Sequence, residues 1–166
     1  KHLAQYSNQT DKNGWKSLVE NCYLRLQREC PEFKYILNKL EPSKGDWKRA
    51  NIEPDSKVSL KDCSDFFKIS KFKYLEHTGD TSKVIITDSS WTDYFLDGSY
   101  SKLSLIKTNN CDFVITFIES NNYIRNGFSK PGDKYRYKIL QKFDTYYEMF
   151  IEIPGSTQMQ TFRLYY

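Results

Sequence analysis

Histidine is nearly missing from this chain: His2 and His77 are the only two in 166 residues. A nucleophile–base–carboxylate set draws most often on histidine, because its pKa lies near neutrality. His2 sits in a polar leading segment expected to hold no fixed geometry, and His77 falls in the turn-forming run His77-Thr78-Gly79-Asp80. Glycine is scarce too. The seven glycines are scattered singly and form no GxGxxG or Walker-type loop to cradle a phosphate. The four cysteines include no CxxC pair, which with two histidines leaves no zinc set of normal spacing. Asp88, Asp93 and Asp97 do not follow EF-hand spacing. No apolar run approaches the ~20 residues of a spanning helix; the longest, Phe113 to Ile118, is interrupted by Thr116. There is no internal repeat, low-complexity tract or cofactor motif.

Charge is mild, at +4. Sixteen basic residues face twelve acidic ones up to Lys83, and nine face nine after it. That is far short of a nucleic-acid-binding tail. What the chain has in excess is aromatic side chains: 13 Tyr, 11 Phe and 3 Trp. They argue against disorder and for a β core rich in rings.

The pattern changes along the chain. Residues 1–13 are polar, with Asn8-Gln9-Thr10 matching an N-glycosylation triplet. Trp15, Leu18, Val19, Cys22 and Leu26 then fall on one stripe of an amphipathic helix over about residues 12–30. That stripe is expected to cover a sheet, with Leu24 off it. Pro31 is placed to open a second, short helix, PEFKYILNKL. Residues 41–58 carry two prolines, a glycine and no periodicity, and read as an irregular connector.

From about residue 72 the period becomes two. Strands are expected at Phe72–Glu76, Lys83–Thr87, Trp91–Leu96, Ser99–Lys107, Cys111–Ile118, Lys134–Ile139, Tyr146–Ile153 and Thr161–Tyr166. Turn chemistry separates them at Asp97-Gly98, Asn109-Asn110, Pro131-Gly132, Phe143–Thr145 and Pro154-Gly155. The expected fold is α+β: an N-terminal amphipathic helix packed on an antiparallel β-meander, curled into a half-barrel or small barrel. Its parts are a helical segment 1–40, the connector 41–58 and a β domain 59–166, in one compact unit.

Within a helix over residues 15–30, Cys22 and Cys30 are ~12 Å apart along the axis, against the ~4.4–6.8 Å of a disulfide. Each is therefore left to reach Cys63 or Cys111. Cys22 lies mid-stripe and Cys111 opens a strand with Phe113, Ile115 and Phe117 inward, so both are expected buried. Cys22–Cys111 with Cys30–Cys63 is the natural pairing if the helix packs over that strand's start. Closing ~90 residues contributes ~4–5 kcal/mol in the chain-entropy model. The alternative is four buried thiols. Residue 1 is Lys, with no apolar signal core after it, and the missing initiator Met reads as a processed or trimmed chain, which fits export.

Two surface groups are candidates for binding. Lys48 and Arg49, with Lys44, flank Trp47 in the connector, a cation–π arrangement for an anionic ligand, but Asp46, Glu53 and Asp55 interrupt it, so a solvated loop is the stronger expectation. Lys134, Arg136 and Lys138 line one strand face beside Tyr146 and Phe150, as a single-strand nucleic-acid platform would. Glu148 and Glu152 share the neighbouring face and would pair with them, so a solvated, charge-paired sheet is the stronger expectation.

The stretch from Asp97-Gly98 through Asn110-Cys111-Asp112-Phe113-Val114-Ile115-Thr116, Lys130-Pro131-Gly132-Asp133-Lys134-Tyr135, Tyr146-Tyr147 and Phe162-Arg163-Leu164-Tyr165 resembles small uncharacterised β-rich proteins of Bacteroidota. The resemblance covers residues 91–166. It implies an exported, envelope-associated protein, with no catalytic residues to carry over and a lipid anchor left open. The expected function is therefore a non-enzymatic extracytoplasmic binding or accessory subunit, partnered by another envelope protein or complex, without cofactor, nucleic acid or transmembrane segment. Its alternatives are a single-stranded nucleic-acid-binding barrel, or a hydrolase in which Asp88, Asp93, His77 or Glu119 converge in a cleft.

Overall fold

The computed structural model describes residues 12–40, 45–109, 111–153 and 159–166. The Asn8 triplet and the Pro154-Gly155 turn lie outside them. In chain order the elements are α1 (Lys12–Glu29), α2 (Pro31–Leu40), β1 (Lys48–Ala50), α3 (Leu60–Phe66), β2 (Lys71–Leu75), β3 (Thr81–Ile86), β4 (Ser90–Tyr94), β5 (Tyr100–Lys107), β6 (Asp112–Ser120), α4 (Tyr123–Phe128), β7 (Lys134–Lys142), β8 (Tyr146–Glu152) and β9 (Met159–Tyr165). Strands β2 to β9 form an antiparallel up-and-down barrel of eight strands, each bonded to the next in sequence. Closure comes from β9, which pairs with β8 along its length and with β2 at Lys73–Tyr165. The free part of that edge is taken by β1, from Lys48–Thr161 to Ala50–Met159.

The alternation that predicts these strands also sets their inner faces. Phe72 and Tyr74, Val84 and Ile86, Trp91, Leu103 and Leu105, Phe113 and Ile115, Tyr137 and Ile139, Tyr147 and Met149, and Phe162 and Leu164 are all buried. The turns follow the residue chemistry. At Lys130-Pro131-Gly132-Asp133 the proline fixes the second position and Gly132 takes φ +94°, as a type II turn requires. The Asp133 amide donates to the Lys130 carbonyl at 2.9 Å to close it.

The two ends of the barrel differ. At the end where β6 begins, α3 plugs the interior. Ser59 caps this helix by accepting from the Asp62 amide at 3.1 Å. Phe66, fully buried, wedges between Phe72, Phe113 and Tyr147 with ring centroids 4.9, 5.8 and 5.1 Å away. The Cys63–Cys111 disulfide, Cα atoms 5.2 Å apart, fastens α3 to the start of β6. At the opposite end α4 follows β6, and α1 packs across it.

This arrangement corrects the expected pairing of cysteines. One disulfide forms among the described residues, Cys63–Cys111, while Cys22 and Cys30 are free. α1 lies at the end where β6 finishes and Cys111 at the end where it starts. A nine-residue strand is ~30 Å long, so Cys22–Cys111 is out of reach.

The face that α1 turns inward is a second correction. Leu18, Val19, Cys22 and Leu26, expected to cover the sheet, are exposed. The buried residues are Leu24 and Arg28. Leu24 sits over Gly127 so closely that a Cβ there would stand 2.4 Å from Leu24 Cδ1. Arg25 donates to the Phe128 carbonyl at 2.9 Å and to Asp133 at 2.8 Å, and Arg28 pairs with Asp133 at 3.2 Å and lies over the Tyr135 ring. Ion pairs with buried aliphatic stems, and not the apolar stripe, hold the helix down.

Candidate functional site

The barrel interior is divided by chemistry. Below, towards α3, it is a stack of rings: Trp91, Phe113 and Tyr137 stand with centroids 5.3–6.1 Å apart. Above, towards α1 and α4, inward positions become polar. Tyr74 faces Ser82 across β2–β3, and Val84, Asp93, Ser101 and Ser120 form a row across β3 to β6. Ser82, Asp93 and Ser101 are all buried. The Ser101 and Ser120 hydroxyls bond each other at 2.8 Å.

Asp93 is the centre of this half. Its carboxylate accepts from the Trp91 indole at 2.9 Å, and the Tyr74 hydroxyl lies within reach of both Asp93 and Glu76. Among the described residues it makes no ion pair. Burial raises its pKa to about 6, against the opposing Trp91 hydrogen bond and the Arg125 charge. Burial raises the Tyr74 and Tyr137 phenols far more, with the Asp93 charge adding to it, so both hydroxyls stay protonated donors.

Above Asp93 is the mouth. Glu76, just after β2, accepts from Ser82 at 2.6 Å and from Arg125 of α4 at 2.6 and 2.7 Å. Burial opposes its ionisation, but the Arg125 charge and these donors prevail and hold its pKa below the usual range. The Arg125 guanidinium also lies over the Phe95 ring, 5.1 Å from its centroid. Trp47 stacks between Phe162 at 4.4 Å and His77 at 4.9 Å, and its indole donates to the Leu75 carbonyl at 2.6 Å. Packing around the His77 ring, then the Lys34 charge, lowers its pKa. His77 is thus neutral at pH 7.

The sequence candidates distribute unequally around this site. Trp47 belongs to it, as a wall of the mouth. Lys48 and Arg49 are exposed on β1, with Arg49 over the Tyr35 ring at 5.5 Å. Lys134, Arg136 and Lys138 lie on the outer face of β7. Arg136 pairs with Glu152 at 2.7 Å and with Glu53, and Lys138 with Glu53 at 2.6 Å. The expected charge pairing is there, but the connector's Glu53 takes the place foreseen for Glu148. Asp88, Asp93, His77 and Glu119 do not share a cleft. Asp93 is inside and His77 at the mouth, Asp88 is exposed in the β3–β4 turn, and Glu119 meets Tyr100 on the outer surface at 3.1 Å.

Sequence reasoning missed Tyr74, Glu76, Ser82 and Arg125. Ser82 and Asp93 carried a signal, since each occupies an inward position of an alternating strand. Glu76–Arg125 joins positions distant in the chain and left none. Compared with known protein families, curated proteins and solved structures, the chain has no match.

Proposed function

We propose that this chain is a non-enzymatic binding protein of an extracytoplasmic compartment that takes a small organic cation into the polar half of its barrel. The observation that carries this reading is Asp93: a buried carboxylate without an ion-pair partner among the described residues, set among Trp91, Tyr74 and Tyr137. Burying a charge this way is unfavourable in the free protein. An ammonium group restores the balance, and the rings around it add cation–π attraction. Glu76 supplies a second carboxylate, with Arg125 as its counter-ion when no ligand is bound. Eight-stranded antiparallel barrels are just wide enough to be filled by side chains or to hold one small ligand, as in lipocalins and streptavidin. That is an analogy of architecture, and the site chemistry is what supports the ligand class. The Cys63–Cys111 disulfide, with Cys63 fully buried, supports an oxidising compartment.

Phenethylamine and its neutral counterpart 3-phenylpropanol are suitable probes, followed by calorimetry and by the fluorescence of Trp91. The amine is expected to bind, the alcohol not, and Asp93→Asn to abolish binding. Equal binding of both probes, or binding untouched by Asp93→Asn, would overturn the reading.

One observation favours a second reading, that of an accessory subunit of an envelope complex. Leu18, Val19 and Leu26 of α1 are exposed, and so are Ile36 and Leu40 of α2, as residues of a protein-facing surface would be. Stoichiometric co-purification with a larger complex, lost in a Leu18→Glu, Leu26→Glu variant, is the result this reading requires.

A further inference from the structure

The outer face of β7 to β9 carries a crevice that the barrel site leaves unused, and a bulge in β7 creates it. Ile139 pairs with Met149 and Gln141 with Glu148, so Leu140 is an extra residue between them. Its carbonyl accepts from the Lys57 amide at 2.7 Å, and the Ile139 carbonyl accepts from the Ser56 hydroxyl at 2.9 Å. Earlier in the connector, Glu53 pairs with Arg136 and Lys138 on the same strand. The connector is thus fastened to β7 on either side of a short span, Pro54-Asp55. That span and Lys57 line a crevice of ≈ 330 Å³ together with Leu140, Gln141, Glu148 and Thr161 of the three strands. Its size falls at the lower end of the ~300–1,000 Å³ of small-molecule pockets. The lining carries charge of both signs: Asp55 and Lys57 are exposed, and Glu148 is half-buried. Neighbouring charges have partners, Lys142 in Asp62 and Arg163 in Asp46. Among the described residues Asp55, Lys57 and Glu148 are in no ion pair, so Lys57 lines the same small space as two carboxylates without touching either.

We infer that this crevice is a second binding site, separate from the barrel interior, for an aliphatic α-amino acid. A bare anion would meet two carboxylates there, and a bare cation would meet the lysine. A zwitterion answers both: its ammonium group bonds Asp55 and Glu148, and its carboxylate bonds Lys57, each as a charge-assisted hydrogen bond. The Gln141 amide and the Thr161 hydroxyl add neutral partners. Leu140, 4% exposed, and the Pro54 ring give the aliphatic side chain an apolar wall. No aromatic residue lines the crevice, so a flat ring in the ligand has nothing to stack on, and the volume admits one residue, not an extended peptide. The inference does not depend on Asp93.

The test uses leucine, 3-methylbutylamine, which lacks its carboxylate, and 4-methylpentanoate, which lacks its ammonium group. Calorimetry is run on the whole chain and on its Asp93→Asn variant, in which the barrel site is out of play. Leucine is expected to bind both proteins alike, and about tenfold more tightly than either analogue binds the Asp93→Asn variant, the effect of one charge-assisted hydrogen bond. In that background Lys57→Met should remove the advantage over the amine, and Lys57→Arg should retain it. The connector's anchor survives either change, because it is the Lys57 backbone amide that holds Leu140. Glu148→Gln should reduce the advantage over the acid. Leucine binding that disappears with Asp93→Asn would put the ligand in the barrel and overturn the inference. So would no binding of leucine, equal binding of the three probes, or an advantage untouched by Lys57→Met. Circular dichroism of each variant ensures that a lost advantage is read from folded protein.

Discussion

Replacing Asp93 by Asn should make this protein more stable while destroying its site. The carboxyl has a pKa of about 6, raised chiefly by burial from 3.8. By linkage, a displacement of that size costs the native state about 3 kcal/mol at pH 7.5. Asparagine keeps the acceptor for the Trp91 indole, now 2.9 Å from Asp93, and carries no charge. It adds two N–H donors, which the neighbouring hydroxyls satisfy only in part, a loss of about 1 kcal/mol. The net expectation is a gain of ~1–2 kcal/mol at pH 7.5. The size of this gain depends on pH. A raised carboxyl pKa means that between about 6 and 3.8 the native state binds the proton more than the unfolded chain does. Wild-type stability therefore gains from this group as pH falls through that window, and the advantage of the variant shrinks to nothing or below. Urea melts of both proteins at pH 7.5, 5.5 and 4.0, monitored by tryptophan fluorescence, give the difference directly and cancel other carboxylates. A variant less stable than wild type at pH 7.5, with a pH-independent difference, would refute the view of Asp93 as an uncompensated buried charge.

Four cysteines and one disulfide mean that titration of denatured, unreduced protein should count two thiols. A Cys63→Ser, Cys111→Ser double variant should lose ~4 kcal/mol, the chain-entropy value for their separation of 48 residues, seen as a lower urea midpoint. Gly127→Ala places a methyl against Leu24 Cδ1 and Asn21 Oδ1; the overpacking costs ~1–3 kcal/mol. Hydrogen exchange should show faster α1 amides in that variant with barrel protection retained. Gly132→Ala, at φ +94° with open space around it, should cost ~1 kcal/mol from backbone conformation alone, measured by thermal melting.

The barrel was legible because its strands alternate one residue in, one out, and because turn glycines such as Gly98 and Gly132 mark where the chain reverses. A period of two also tells which face is buried, since a strand of this barrel has the interior on one side only. A helix gives no such guarantee. The apolar stripe of α1 is real, but Arg25 and Arg28 find Asp133, and that pairing turns the stripe outward. Periodicity locates a face and is silent about what docks it. The disulfide was misassigned for a related reason: bridging every cysteine forces Cys22 and Cys30 towards Cys63 and Cys111, and a single bridge leaves them out. Asp93 lies close to the Asp97-Gly98 hairpin, where aspartates commonly serve turns, but it stands two residues from Trp91 on β4, which puts both on the inner face. The mouth was beyond reach, because Glu76, Arg125 and Trp47 come together only when three separate segments are in place.

The double pairing of β9 has a consequence for biosynthesis. β9 pairs with β8 close by, but also with β1 and β2, made far earlier. During synthesis, then, β2 to β8 can assemble hairpin by hairpin, each step local and fast, while the sheet stays open with β2 and β8 as bare edges. Cys63 and Cys111 both precede β7, so their bridge can form on this open intermediate as soon as the chain meets an oxidising compartment. It then ties α3 to β6 before the barrel is complete. The last event is the slow one: β9 has to join β8 on one side and β1 and β2 on the other, and until it does, Tyr137, Met149 and the other inward side chains remain available to neighbouring chains. Expression without β9 should accordingly yield a species that is already bridged, yet aggregates.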